Sequence, residues 1–300
     1  MRLSVFIMLF IMLFTSVSSA NKIWDFLHNN RHSWLPYPLP YETTLDNVKQ
    51  VCELGMDTVG ITFAAPYKQG NIDFSKVDAA LNIIGEHGQR MVLMMTPRFT
   101  AEDNVSDRLS NNQILTNLYD RNPNYSMIDV FNKAQRAKFN NYISLCVKRY
   151  GKDKRVAAFI IGWGYQGENG FYIGDWISES SQIGTLSAGY SDNALIEFNK
   201  WRITHKYSTL SVLPMPSATR QSDDYILFMR FRCEFLRNVF QYEHIAAAKA
   251  KTNLPVGNFA YISASPDNYA RNWIDTPNSD FFRSAASCAT FDMNSTLLDS

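Results

Sequence analysis

The sequence predicts an α/β fold, a TIM-type (β/α)8 barrel of which about six strand–helix units are present. Three observations point there. Short apolar, β-branched runs alternate with helical stripes along the chain, which demands a parallel sheet with crossover helices. GxxxxGK[ST] follows none of those runs, and the one GxGxxG, Gly162 to Gly167, follows the fourth run rather than an early one, where an open dinucleotide-binding sheet carries its phosphate turn. Polar and aromatic residues instead gather just past the carboxyl ends of the runs, where barrel enzymes place their chemistry.

Residues 1–20, MRLSVFIMLFIMLFTSVSSA, stand before the fold. Arg2, an apolar run from Leu3 to Phe14 and the small residues Ser18-Ser19-Ala20 have the layout of a secretory signal peptide cut after Ala20. The run falls short of the ~20 residues of a membrane span, so no stable span is expected after cleavage. The mature chain, 21–300, reads as a single barrel domain, secreted or periplasmic.

Within it, 32–37 is a first strand, and 44–54 carries a helical stripe stopped by Gly55. Residues 57–64 form a second strand. Ser75 is expected to cap a helix to His87 with apolar residues at 77, 80, 81 and 84 and Gly88 as its stop. The third strand, 90–96, is almost wholly apolar, as a strand buried on both faces should be. A polar excursion over 98–132 leads into a helix over 132–150 that ends at Gly151 and a basic turn. A fourth strand at 156–163, helices at 192–206 and 223–251, and strands at 255–262 and 287–293 complete the series.

Composition narrows the function. A chain 46% hydrophobic and 14% aromatic must bury a large core, which excludes a disordered tail. With 29 Lys+Arg against 28 Asp+Glu there is no basic surplus for phosphate backbones, so no nucleic-acid partner is expected. Cys52, Cys146, Cys233 and Cys288 each lie in an apolar segment and read as buried free thiols. No Cys/His spacing suits a metal, and no metal or organic cofactor is expected.

The chemistry concentrates after the fourth strand, in Gly162-Trp163-Gly164-Tyr165-Gln166-Gly167-Glu168-Asn169-Gly170-Phe171-Tyr172. Glu168 has no cation beside it and stands among glycines and aromatic rings. Such a setting raises a carboxyl pKa toward what a general acid needs near neutral pH. Aromatic faces such as Trp163 and Tyr165 offer stacking surfaces to sugar rings, and Gln166 and Asn169 offer hydrogen bonds. Strand ends supply further substrate-binding candidates: Arg98 past the third strand, Trp34 in the first, Asn258 in the fifth and Asp292 in the sixth.

Three ordered motifs resemble glycoside hydrolase family 42 β-galactosidases and their clan-A relatives. They are Gly70-Asn71-Ile72-Asp73-Phe74-Ser75 with Asp78; Phe198, Trp201, His205, Lys206, Tyr207 and Leu210; and Asp224-Tyr225-Ile226-Leu227-Phe228. The likeness spans most of residues 35 to 262. It implies a barrel that takes a carbohydrate substrate and hydrolyses O-glycosidic bonds with retention, Glu168 being the acid/base. In that family an Asn precedes this Glu and holds the sugar 2-hydroxyl; here Gly167 does, leaving the role to Gln166 or Asn169 and galactose specificity open. The family's nucleophile ends the seventh strand, and six strands are counted by residue 293, so the resemblance places the nucleophile beyond Ser300. Two other readings stay open: a non-catalytic carbohydrate-binding barrel with a decayed site, and an inverting hydrolase with Asp292 as the second acid. Oligomeric state is not legible.

Overall fold

The structure, a computed structural model, describes residues 30–39, 43–67, 70–100, 125–126, 128–163, 189–215, 222–260, 281–284 and 290–292. A seven-stranded sheet forms its centre. Its strands are β1 (His32–Leu39), β2 (Thr58–Phe63), β4 (Arg90–Met95), β7 (Val156–Ile161), β8 (Val256–Ala260), β9 (Phe281–Ser284) and β10 (Thr290–Asp292), which lie side by side in that order. Every neighbouring pair from β1 to β9 is parallel. Spatial order follows chain order with no reversal, so the described sheet lacks the switch point of a doubly wound fold.

The sixth strand differs from expectation. The parallel member is β9, whereas β10, inside the 287–293 run, returns antiparallel along it. A short link of 285–289 allows only a hairpin, since a parallel return needs a crossover of a dozen or more residues.

β2 and β7 are buried along their whole length, and β4 after Arg90, which accounts for their unbroken apolar runs. On one face Val59, Ile61, Phe63, Met91, Leu93, Met95, Phe159 and Ile161 join the helices in the large core. On the other, Val92, Met94, Ala158, Ile160 and Phe259 form a second cluster. Pro36 and Pro38 sit in β1, which in the described sheet is an edge strand, where a missing N–H costs no ladder bond.

The helices follow their stripes. α1 (Leu45–Cys52) opens on a capping box between Thr44 and Asn47. α2 (Ser75–Glu86) buries Val77, Ala80, Leu81 and Ile84, the four expected positions. Its cap is displaced, however: Ser75 is already helical, and Asp73 Oδ1 accepts its backbone N–H at 2.9 Å. α3 (Lys133–Tyr150) is capped by Asn132, α4 (Asp192–Thr204) by Ser191 and α5 (Asp223–Phe235) by Ser222. α5 runs through a π-helical stretch, Leu236–Gln241, into α6 (Tyr242–Lys249). Cys52, Cys146 and Cys233 are buried and in no disulfide, as expected. None of the described helices is long and apolar enough to cross a membrane. The expected signal segment and Cys288 lie outside the described residues.

Candidate functional site

Parallel register aligns the carboxyl ends of six strands. Leu39, Phe63, Met95, Ile161, Asn258 and Phe282 pair in succession across the sheet as one row. Backbone bonds extend the ladder one step beyond it, Thr96 N–H to Phe63 O and Gly162 N–H to Met95 O, both 2.9 Å. Past the row, β3 (Pro66–Tyr67) and β5 (Arg98–Thr100) follow β2 and β4 and pair with each other, and β6 (Tyr125–Ser126) returns along β5. The 98–132 excursion thus begins and ends in a small sheet; 101–124 lie outside the described residues.

This edge holds the expected residues in different ways. Arg98 begins β5 and is only 5% exposed, so its side chain is buried at the edge. Beside it Tyr67 is fixed by Asn141 of α3, whose Nδ2 donates to the phenol oxygen at 2.7 Å, and by the rings of Phe99 and Tyr142. Trp163, buried, packs edge-on against Phe240 with ring centroids 5.5 Å apart, so its ring is taken up in the helix-side core. Asn258 shares its row and face with Ile161 and Met95, and its Oδ1 accepts from His244 Nε2 at 2.8 Å.

Two candidates stand away from the row. Trp34 pairs with Gly60, three residues short of it, or about 10 Å toward the amino edge. Asp292 pairs with Phe281, which is level with Gly257. Because β10 is antiparallel, Asp292 ends its strand in the direction of the amino edge, not at the carboxyl ends where the sixth strand was expected to present it. Glu168, Tyr165, Gln166 and Asn169 lie in 164–188, outside the described residues. That segment joins Trp163, two residues past β7, to Gly189, just before α4.

Two polar groups escaped sequence reading. Asp129, 1% exposed, accepts from Phe131 N–H at 3.0 Å and from Asn193 Nδ2 at 2.9 Å, tying the start of α3 to the start of α4. Burial pushes its carboxyl above the ordinary aspartate range against those hydrogen bonds. Enclosure and saturated oxygens make it a clasp, not an acid for substrate. His244 is fully buried between Phe139 and Phe240, and burial holds its imidazole down at about 4, so it is neutral. The signal for it was present: Leu236, Phe240, His244 and Ala248 form a four-step stripe on one helix face.

A cavity of 520 Å³ opens at the opposite, amino edge, among Arg90, Lys152, Lys249 and Lys251. Its basic lining follows from the two helix ends there, α3 and α6, where cations offset terminal carbonyls. The carboxyl edge remains the better candidate, because ligands of parallel α/β sheets, open or closed, bind past the carboxyl ends of the strands. Among the described residues no group of His, Cys, Asp and Glu is placed to hold a metal.

Fold and edge define a class: an α/β chain with a sequentially wound parallel sheet and its polar strand-end residues on one rim. No family model and no curated protein matches the sequence. Solved structures do. The chain is similar to a polyextremophilic β-galactosidase from the Antarctic haloarchaeon Halorubrum lacusprofundi, with 13% identity and a TM-score of 0.57 over 85% of this chain and 39% of that one. It is similar to a β-galactosidase from the psychrophilic Marinomonas ef1, at 11% identity and TM-score 0.56, over 85% of this chain and 40% of that one. A catalytic mutant of a GH42 β-galactosidase from G. stearothermophilus gives 12% and 0.53, over 79% and 36%. The likeness is one of fold, and the chain spans about two-fifths of the length of these structures.

Proposed function

We propose that the chain is the catalytic barrel part of a secreted, family-42-like glycoside hydrolase in which Glu168 is the acid/base. The reading is supported by one observation above others: a fold similar to three β-galactosidases, in which the fourth parallel strand of the central sheet, β7, runs straight into the segment bearing Glu168. In a retaining cycle Glu168 protonates the glycosidic oxygen as a second carboxylate attacks the anomeric carbon. It then takes a proton from the water that releases the sugar. Arg98 and the aromatic and amide groups of 165–169 orient the sugar, and no cofactor enters the cycle.

Glu168→Gln tests this. kcat/KM for an alkyl or unactivated aryl β-galactoside is expected to fall by about 10²–10⁴-fold, with a much smaller loss of kcat/KM for a nitrophenyl leaving group that needs little protonation. Equal turnover by both proteins on the unactivated substrate would remove Glu168 from the mechanism. Gly167 in place of the family's Asn favours a second reading, a carbohydrate-binding barrel without turnover. In that case wild-type protein binds galactosides and hydrolyses none.

A further inference from the structure

We infer that His244 is a positioning residue for the carboxyl edge, holding the ends of β7 and β8 in fixed relation through two contacts of one imidazole. The inference rests on the reading of Glu168 as the acid/base, since the chain passes from the end of β7 to Glu168 within seven residues.

The contacts form a continuous buried chain. On one side, His244 Nε2–H donates to Asn258 Oδ1 at 2.8 Å, and Asn258 belongs to the terminal row of β8. On the other, the imidazole meets Phe240 edge-on, with centroids 4.9 Å apart and planes at 84°. Phe240 in turn meets the Trp163 ring at 5.5 Å and 75°. Trp163 is two residues past Ile161, which pairs with Asn258, and five before Glu168. All four side chains are at most 4% exposed.

Geometry separates this from ordinary core filling. A leucine of similar bulk at 244 would pack on Phe139 and Phe240 but would remove the Nε2 donor from Asn258 Oδ1, and losing a buried hydrogen bond between helix and strand loosens the strand end that carries it. Nothing but Asn258 and burial shifts the titration of His244, so the ring is a neutral donor rather than a charge partner. Phe240 belongs to the π-helical stretch Leu236–Gln241, a departure from α-geometry common beside functional sites.

The test compares His244→Leu with His244→Gln, whose amide restores a donor near the Nε2 position. In the intact protein H244L is expected to lower kcat for an aryl β-galactoside at least tenfold with KM changed less than threefold, and to speed amide exchange selectively at 156–163 and 256–260. H244Q should recover kcat to within threefold and restore slow exchange. A purely structural histidine would give uniformly faster exchange and a kcat loss matching the unfolded fraction, and that result overturns the inference. If wild-type protein turns over no glycoside, the hydrolase reading fails on its own and exchange alone decides: selective loosening supports the positioning role, uniform loosening ends it. Should H244L not fold, Phe240→Leu interrupts the same chain at the ring contact and is read by the same measurements.

Discussion

Arg136 spans three pieces of the chain with one guanidinium. Its Nε and Nη2 reach the carboxylate of Glu243 on α6 at 2.9 and 3.3 Å, and its Nη1 donates to Val130 O at 2.9 Å. The group also lies 5.3 Å over the Phe235 ring. Arg136 is 7% exposed, whereas the Glu243 side chain is a third exposed, which discounts the ion pair but not the carbonyl bond. Arg136→Met should therefore cost about 2 kcal/mol in urea unfolding, and Arg136→Lys should recover less than half, because a compact ammonium lacks the planar fork that reaches the carboxylate and the carbonyl from opposite sides. An unchanged midpoint for the methionine variant would show that the bonds merely replace water. No sequence pattern discloses such a residue, since the partner is 107 positions away. Asn258 was legible as a strand-end polar residue but not as the partner of His244, although the two are only 14 positions apart. Which face a strand residue takes depends on register, and register is set by neighbours far along the chain.

Helices are legible where one stripe meets one core, and their ends less so. Gly88 sits at φ 70°, the left-handed stop expected after α2. Gly151 ends α3 for another reason: its φ is −67°, and a Cβ there would fall 2.5 Å from Val147 O and 2.9 Å from Thr252 Cβ. The glycine admits close packing against the turn before β8, a demand that composition cannot show. Between α5 and α6 the buried positions step from Phe231 to Phe235 to Phe240 to His244, and the five-residue step falls on the π-helical stretch. Inserting one residue per turn there keeps Phe240 and His244 on the core face, whereas a continuous α-helix would rotate them away by about 100°. The irregular spacing is visible in the sequence, yet a single long helix over 223–251 accommodates it until the packing is known. At the other end of the layer Asn132 Oδ1 accepts from Ala134 N–H at 2.9 Å and Gln135 N–H at 3.2 Å. Asn132→Ala should lower stability by about 1 kcal/mol, and Asn132→Asp should hold or slightly raise it through its charge at the helix start. Equal losses from both would mean that the cap's contribution is packing rather than hydrogen bonding.

Across the whole molecule, alternation and unbroken apolar runs were enough to predict a parallel sheet wound in one direction. The 281–292 hairpin was hidden, because a short strand's direction is fixed by the link before it rather than by its own residues. Burial on this scale also sets the pH response. His244 goes from an ordinary 6.5 to about 4 in the fold, so the unfolded chain binds its proton first. The fold's advantage is complete above about pH 6.5 and shrinks as pH falls toward 4. The loss is roughly 3 kcal/mol in all, because each tenfold weakening of proton binding by the fold is worth about 1.4 kcal/mol. Around the ring stand Phe139, Phe240 and Asn258, with the Arg136–Glu243 pair on the adjoining turn, and none of these charges contributes to the shift. Asp129 opposes the trend: its raised carboxyl means that the fold holds that proton more tightly, which adds stability as pH falls. Asp57, Asp73, Asp78, Asp153 and Glu234 are held below their ordinary values, so their support is lost only in stronger acid, as pH falls below the usual carboxylate range. The window from about pH 6.5 down to about 4.5 therefore belongs mainly to His244. Urea midpoints should be flat above it and decline through it, and His244→Gln should flatten that decline while leaving the steeper loss in stronger acid. Parallel declines in the two proteins would assign the window to other groups and leave His244 without a proton-linked role.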